Sequence, residues 1–215
     1  MGKSERRGAR KIRADRRMRT PDLGYYLIIT DTRETEKNYF DGLKRKIPSY
    51  LSDRIVIKVE RTSTDNLVQR TLELFNEEPQ FRKPWIVFDR DKVKDFDEII
   101  RSAINAELEV GWSNPCIEIF LISYFDTMPV VDGSVKCCEE FERVFTLRTK
   151  TNYEKSDKQI YEKLCRYGNE RKALQLAESK HKQCIRDGKK KQSEMIPCTT
   201  VYILVNEINS TIEKL

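Results

Sequence analysis

Two short apolar runs, each closed by acids, constrain this chain more than any other feature. The first is Tyr25-Tyr26-Leu27-Ile28-Ile29-Thr30, followed by Asp31 and, after Thr32-Arg33, by Glu34-Thr35-Glu36. The second is Trp85-Ile86-Val87-Phe88, followed by Asp89-Arg90-Asp91. Runs of this length read as buried strands. Side chains at i and i+2 of an extended chain point to one side. Asp89 and Asp91 are therefore placed to converge at the strand's carboxyl end. Open α/β sheets take their ligands there, and two carboxylates at that spacing suit a hard divalent cation such as Mg²⁺. Each acid also has an ordinary reading: Asp in a turn, Asp31 as a helix cap, Glu34 and Glu36 favoured by a helix dipole.

The segments between these runs alternate strand and helix. Thr35–Lys46 is expected to be a helix stopped by Pro48, Arg54–Val59 a strand, and Thr64–Asn76 a helix with Leu67, Val68, Thr71, Leu72 and Phe75 on one face. Pro84–Phe88 is the next strand and Asp95–Glu107 the next helix, packed through Phe96, Ile99, Ile100 and Ala103. Such alternation argues for a Rossmann-like α/β fold, a mostly parallel sheet flanked by helices, with right-handed crossovers. Asn114-Pro115 reads as N-cap and first residue of a further helix, with Glu118 in its early turns. From Asp126 to Lys155 the pattern weakens and reads as an insertion or lid. Helices are expected at Asp157–Arg166, Glu170–Arg186 and Thr199–Ile212, forming a C-terminal helical extension. The predicted organisation is a basic arm over residues 1–20, an α/β core over 21–125, and a loop or lid with packed helices over 126–215.

Three segments resemble the RloB-like family of Toprim (topoisomerase–primase) proteins linked to phage defence: Ile28–Phe40, Val87–Asp91 and Ser113–Phe120. A closing Pro197-Cys198-Thr199-Thr200-Val201-Tyr202 and a Lys150-x-x-Tyr153-x-Lys155 feature are similar too. The resemblance implies a Toprim-like fold and a metal-dependent nuclease in bacterial anti-phage defence. Mg²⁺ or Mn²⁺ would sit on Asp89, Asp91, Asp31, Glu36 and Glu118, with Asp31, Glu36, Asp89 and Asp91 catalytic. It implies a partner ATPase, with RNA favoured over DNA as the nucleic acid by analogy alone. Arg90, Arg148, Lys150 and Lys155 would meet phosphates and Tyr153 would stack on a base, against the alternative of a solvated charged loop. Toprim proteins usually carry Glu-Gly after the first strand, where this chain has Asp31-Thr32. Either the site has shifted toward Glu36 or Glu34, or the chain is a weakened module that binds nucleic acid or serves as an ATPase's regulated subunit.

Charge sharpens the reading. Residues 1–20 hold nine Lys/Arg against Glu5 and Asp15, a net +7 within a chain of +6, so the body is near neutral at −1. An arm so poor in apolar residues is expected to be disordered alone and able to neutralise phosphates; a solubilising tail or a protein handle are the alternatives. The chain has no apolar run of about 18 residues, which excludes a transmembrane helix, and no secretory h-region. Its six cysteines show no CxxC spacing and there is one histidine, His181. That argues against a zinc site and for free thiols in a reducing cytoplasm. A Cys–His pair using His181 would lie in a lysine-rich helix, a poor setting for a nucleophile.

Overall fold

A computed structural model describes residues 24–31, 34–51, 55–77, 83–91 and 93–213; the basic arm lies outside the described residues. Five strands form one sheet: β1 (Gly24–Thr30), β2 (Ile55–Arg61), β3 (Lys83–Asp89), β4 (Glu109–Asn114) and β5 (Cys198–Thr199). Their order is β2-β1-β3-β4-β5. The first four are parallel and β5 is antiparallel to β4. The Rossmann-like, mostly parallel α/β architecture expected from the alternation is therefore present.

The helices are α1 (Thr35–Arg45), α2 (Leu67–Glu77), α3 (Phe96–Asn105), α4 (Glu118–Ile122), α5 (Ser134–Thr149), α6 (Ile160–Tyr167), α7 (Glu170–Arg186) and α8 (Val201–Glu213). Strand residues of period two divide them between two faces. Tyr26, Ile28, Trp85 and Val87 point into one cluster with Tyr39, Phe40 and Leu43 of α1 and the apolar sides of α4 to α8. Leu27, Ile29, Ile86 and Phe88 point into the other, with Leu67 and Leu74 of α2 and Phe96, Ile100 and Ala103 of α3. The chain steps from β1 outward to β2 with α1 on one face. It then crosses back to β3 and on to β4 with α2 and α3 on the other. Reversing direction and face together is what crossovers of one hand require. It also makes the gap between β1 and β3 the topological switch point, where a crevice opens beyond the carboxyl ends of the strands.

Two glycines allow close approach. A Cβ on Gly42 would stand 2.4 Å from Tyr161 Cβ, so α1 can meet α6 only through glycine. A Cβ on Gly111 would lie 3.4 Å from Val87 Cγ2 and 3.7 Å from Val201 Cα, so the start of α8 lies flat on β4.

The structure differs from the sequence expectation after residue 107. Glu109–Asn114 is a strand, and its last residue is no helix N-cap. A cis peptide joins Asn114 to Pro115, and the Asn114 amide donates to the Gln192 and Ser193 carbonyls at 3.2 Å. Glu, Gly, Ser and Asn are poor strand residues, but this strand is central and its pairing decides. The weak-pattern segment holds the 16-residue helix α5, whose Cys137, Phe141, Val144, Phe145 and Thr149 are buried at helical spacing. Thr64–Asn66, expected as helix, is a 3-10 turn leading into α2. Thr199 belongs to β5, and its hydroxyl donates to the Trp112 carbonyl at 3.0 Å while Thr200 Oγ1 accepts from the Trp112 amide at 3.0 Å. The C-terminal segment thus supplies part of the sheet as well as helices packed upon it.

Candidate metal centre

The carboxyl edge at the switch point opens into a cleft of about 1300 Å³. Asp31 follows β1 and Asp89 ends β3, on the two strands that flank the switch point. Glu36 comes from the first turn of α1 and Glu118 from the first turn of α4; both are almost fully buried, at 2% and 1% exposure. All four line the cleft. Asp31 feels the Glu36 charge, and Asp89 feels the charges of Glu36, Glu118 and Asp31. Burial, and then the Glu36 carboxylate, push the Asp31 carboxyl up from its usual range to about 7. Burial, and then the three neighbouring carboxylates, hold that of Asp89 well above its usual range.

Among the described residues, the side chains of Asp31 and Asp89 each receive one hydrogen bond. Thr64 Oγ1 donates to Asp31 Oδ2 at 3.1 Å and the Ile117 amide to Asp89 Oδ2 at 3.0 Å. Asp31 Oδ1 and Asp89 Oδ1 are buried and receive no hydrogen bond from the described residues. Buried acceptors normally have partners, and leaving one without costs about 1–3 kcal/mol. An all-oxygen donor set with two such atoms fits a hard cation of the Mg²⁺ or Mn²⁺ kind.

The remaining residues singled out in the sequence fall in three places. Asp91 lines the cleft at its exposed rim, where its Oδ1 accepts from the Ser134 hydroxyl at the start of α5. Its amide donates to the Pro115 carbonyl at 2.9 Å, continuing the β3–β4 pairing past the strand. Glu34 also lines the cleft but is exposed, so of the two acids after Asp31 it is Glu36 that joins the buried group. Tyr153 and Lys155 enter the cleft from the segment after α5. The Tyr153 hydroxyl donates to Glu118 Oε1 at 2.9 Å and lies 2.9 Å from Thr35 Oγ1, and Lys155 Nζ is 3.7 Å from Glu118 Oε1. The Tyr153 ring packs against Phe141 and Phe145, at centroid distances of 4.6 and 5.8 Å, so what it presents to the cleft is its hydroxyl. Arg90, Arg148 and Lys150 do not line the cleft. Arg90 is half-buried, Arg148 is exposed, and Lys150 ends α5 in the left-handed conformation at φ 61°. His181 is also elsewhere, edge-on to Trp112 with Nδ1 3.2 Å from the Tyr202 hydroxyl.

Sequence reasoning did not find Thr35, Thr64 or Ser134, the hydroxyls that touch this group. Nor did it find Cys116 and Cys138, whose sulfurs lie close to the Glu118 carboxylate. No spacing rule connects residues brought in by different elements. Hydrogen bonding with Cys137 raises the Cys116 thiol, and hydrogen bonding with Cys116, followed by burial, raises the Cys138 thiol, the opposite of an activated nucleophile.

Among the described residues, no helix is long and apolar enough to cross a membrane. No curated protein and no solved structure matches the chain. The model of the family described as RloB-like protein matches residues 26–208, a span that takes in the whole cleft and every strand but the start of β1. The chain belongs to the RloB-like protein family.

Proposed function

We propose that this protein is a divalent-cation-dependent phosphodiesterase of Toprim type, a nuclease acting in bacterial anti-phage defence. The observation that carries the reading is the gathering of Asp31, Glu36, Asp89 and Glu118 at the switch point, with two buried carboxylate oxygens left without donors among the described residues. Among the described residues, the cleft is lined by ten acids and two lysines, Lys94 and Lys155. A polyanionic substrate is repelled by such a lining unless cations neutralise it.

Asp31, Glu36, Asp89 and Glu118 would hold Mg²⁺ or Mn²⁺, with Asp91 available from the rim. When bound, the cation supplies an activated water and offsets charge on the scissile phosphate and the leaving oxygen. The chain's own residues have separate tasks. Tyr153 and Lys155 fix one oxygen of Glu118, which keeps that carboxylate turned into the cleft. The Lys155 ammonium would also offer a phosphate a positive charge on that wall. Thr64 donates to Asp31 Oδ2, which leaves Oδ1 as the atom that would meet the cation. The basic arm would hold the nucleic-acid backbone without reading sequence. The defence role, a partner ATPase and RNA ahead of DNA follow from the motif resemblance, and six free thiols suit a reducing cytoplasm.

A second reading, a weakened module that binds nucleic acid or serves as the regulated subunit of an ATPase, draws on the Asp31-Thr32 pair standing where Toprim proteins carry Glu-Gly. One assay separates them: cleavage of a mixed DNA and RNA pool with and without Mg²⁺, by the parent and by Asp89→Asn. Cation-dependent cleavage lost in the variant supports the nuclease. Equal cleavage by both overturns it at this site, and binding without cleavage favours the second reading.

A further inference from the structure

Beside the carboxylate group, the Cys116 and Cys138 sulfurs and a Glu118 carboxylate oxygen all lie within 4.8 Å of one another. They come from three places: the turn after β4, the first turn of α4 and the first turns of α5. All three residues line the cleft, Cys116 and Glu118 being buried and Cys138 half-buried. Ligands of a tetrahedral Zn²⁺ stand about 2.0–2.3 Å from the metal, so their mutual distances are somewhat shorter than the limit found here. Small side-chain adjustments would close the set around one ion. Two sulfurs and one oxygen form a softer donor set than the all-carboxylate group, and softness sorts cations between neighbouring sites. Three protein ligands leave a fourth position open to the cleft, as in zinc sites that exchange water or substrate.

We propose that Cys116, Glu118 and Cys138 form a second cation subsite, for Zn²⁺ or a cation of like softness, that shares Glu118 with the hard-cation group. Binding releases both thiol protons to solvent and turns the Glu118 carboxylate toward the sulfurs. Glu118 then serves one site at the expense of the other, so a soft cation opposes Mg²⁺ at the carboxylate group. The subsite stands on its own ligands; only its effect on cleavage rests on the nuclease reading.

The test uses the full-length protein, kept reduced, titrated with Co²⁺ as a coloured stand-in and then with Zn²⁺. The expected result is a thiolate-to-metal charge-transfer band that saturates at one equivalent and is erased by one equivalent of Zn²⁺. The band is retained in Cys165→Ser, which removes an exposed thiol outside the cluster, and lost in Cys138→Ser. Cys138 is only half-buried, so that variant keeps the test open if Cys116→Ser fails to fold. No band in the parent, or one undiminished in both Cys116→Ser and Cys138→Ser, overturns the subsite. A second arm measures Mg²⁺-dependent cleavage as Zn²⁺ is added: inhibition is expected in the parent and relieved in Cys138→Ser. A band without any Mg²⁺-dependent cleavage leaves the subsite standing and removes the nuclease; cleavage without a band does the reverse.

Discussion

Two regions of this molecule take carboxylates out of water and treat them in opposite ways. Glu170, at the start of α7, accepts from Lys46 Nζ at 2.7 Å and from the Tyr161 hydroxyl at 2.8 Å, one partner for each oxygen. At the switch point, Asp31 and Asp89 each keep one oxygen without a donor among the described residues, and neighbouring carboxylates push both carboxyls up. The first arrangement is how a fold keeps a carboxylate it needs for packing. The second raises the energy of the protein, and it is this cost that the proposed cation would offset. Both places hold carboxylates; what differs is the partner set.

The largest expected effect sits at the strained region. Asp89→Asn should take cation-dependent cleavage to background while the cation-free protein melts no lower than the parent, because the variant removes a charge site crowded by three other acids. Mg²⁺ at about a hundred times its dissociation constant should stabilise the parent by about 2.7 kcal/mol and the variant hardly at all. A variant that melts much lower, with Mg²⁺ stabilisation intact, would make Asp89 a structural acid like Glu170.

The next effect is one of pH. The folded protein holds the Asp31 proton up to about pH 7, against an ordinary value of 3.8. Folding is therefore favoured by protonation, and this contribution is lost as pH rises from about 4 to about 7. Without divalent cations, the stability of the parent minus that of Asp31→Asn should fall across that window by roughly 4 kcal/mol at most, and level off above it. Saturating Mg²⁺ should flatten the slope, since a cation keeps the carboxylate ionised. A difference that rises with pH would reverse the sign and sink the argument. Cleavage by Asp31→Asn and by Glu36→Gln, measured side by side, tells which of the two does the work of the usual Glu.

Glu170→Ala should behave in the contrary way. Losing two charge-assisted hydrogen bonds should cost about 2–3 kcal/mol in denaturant unfolding, with the Mg²⁺-dependent stabilisation unchanged. A neutral or stabilising result would end the distinction between the two regions. The smallest effect belongs to Tyr153→Phe. The ring keeps its place against Phe141 and Phe145 while the hydroxyl between Thr35 and Glu118 is lost, at about 1 kcal/mol of stability. Cleavage should fall more than that loss suggests, because Glu118 then retains only Lys155 on that oxygen; unchanged cleavage would show that Tyr153 has no part in positioning it.

How far this was legible in the sequence depended on whether the signal was local. β1, β3 and the helices that follow them were readable because period and apolar content agree within each segment. Asp31 and Asp89 were readable as neighbours because both end strands of one α/β unit. β4 was hidden because its burial comes from β3 and β5, which its own Glu, Gly, Ser and Asn do not announce. The stripe of α5 was present at Cys137, Phe141, Val144 and Phe145, but the charged residues between them hid it, and Lys150 ends the helix where glycine is usual. Asp91 reads as the equal of Asp89 in sequence. In the structure the strand ends between them, and Asp91 turns to Ser134 at the rim. The Cys116–Glu118–Cys138 group had no local signature at all.

The order in which the polypeptide leaves the ribosome matters here. β4, whose backbone ends at the cleft, is paired on its outer side by Cys198 and Thr199 and held by the hydroxyls of Thr199 and Thr200. Tyr26 near the beginning of the fold hydrogen bonds to Glu207 and Thr211 near its end, each at 3.2 Å. A nascent chain that has not yet exposed the segment around residues 198–211 leaves the sheet with an open edge and its first strand unsealed. Contacts so far apart in sequence form late and slowly. The outer pairing of β4 and the anchoring of Tyr26 are therefore late steps of assembly, which wait for the segment around residues 198–211 to be made.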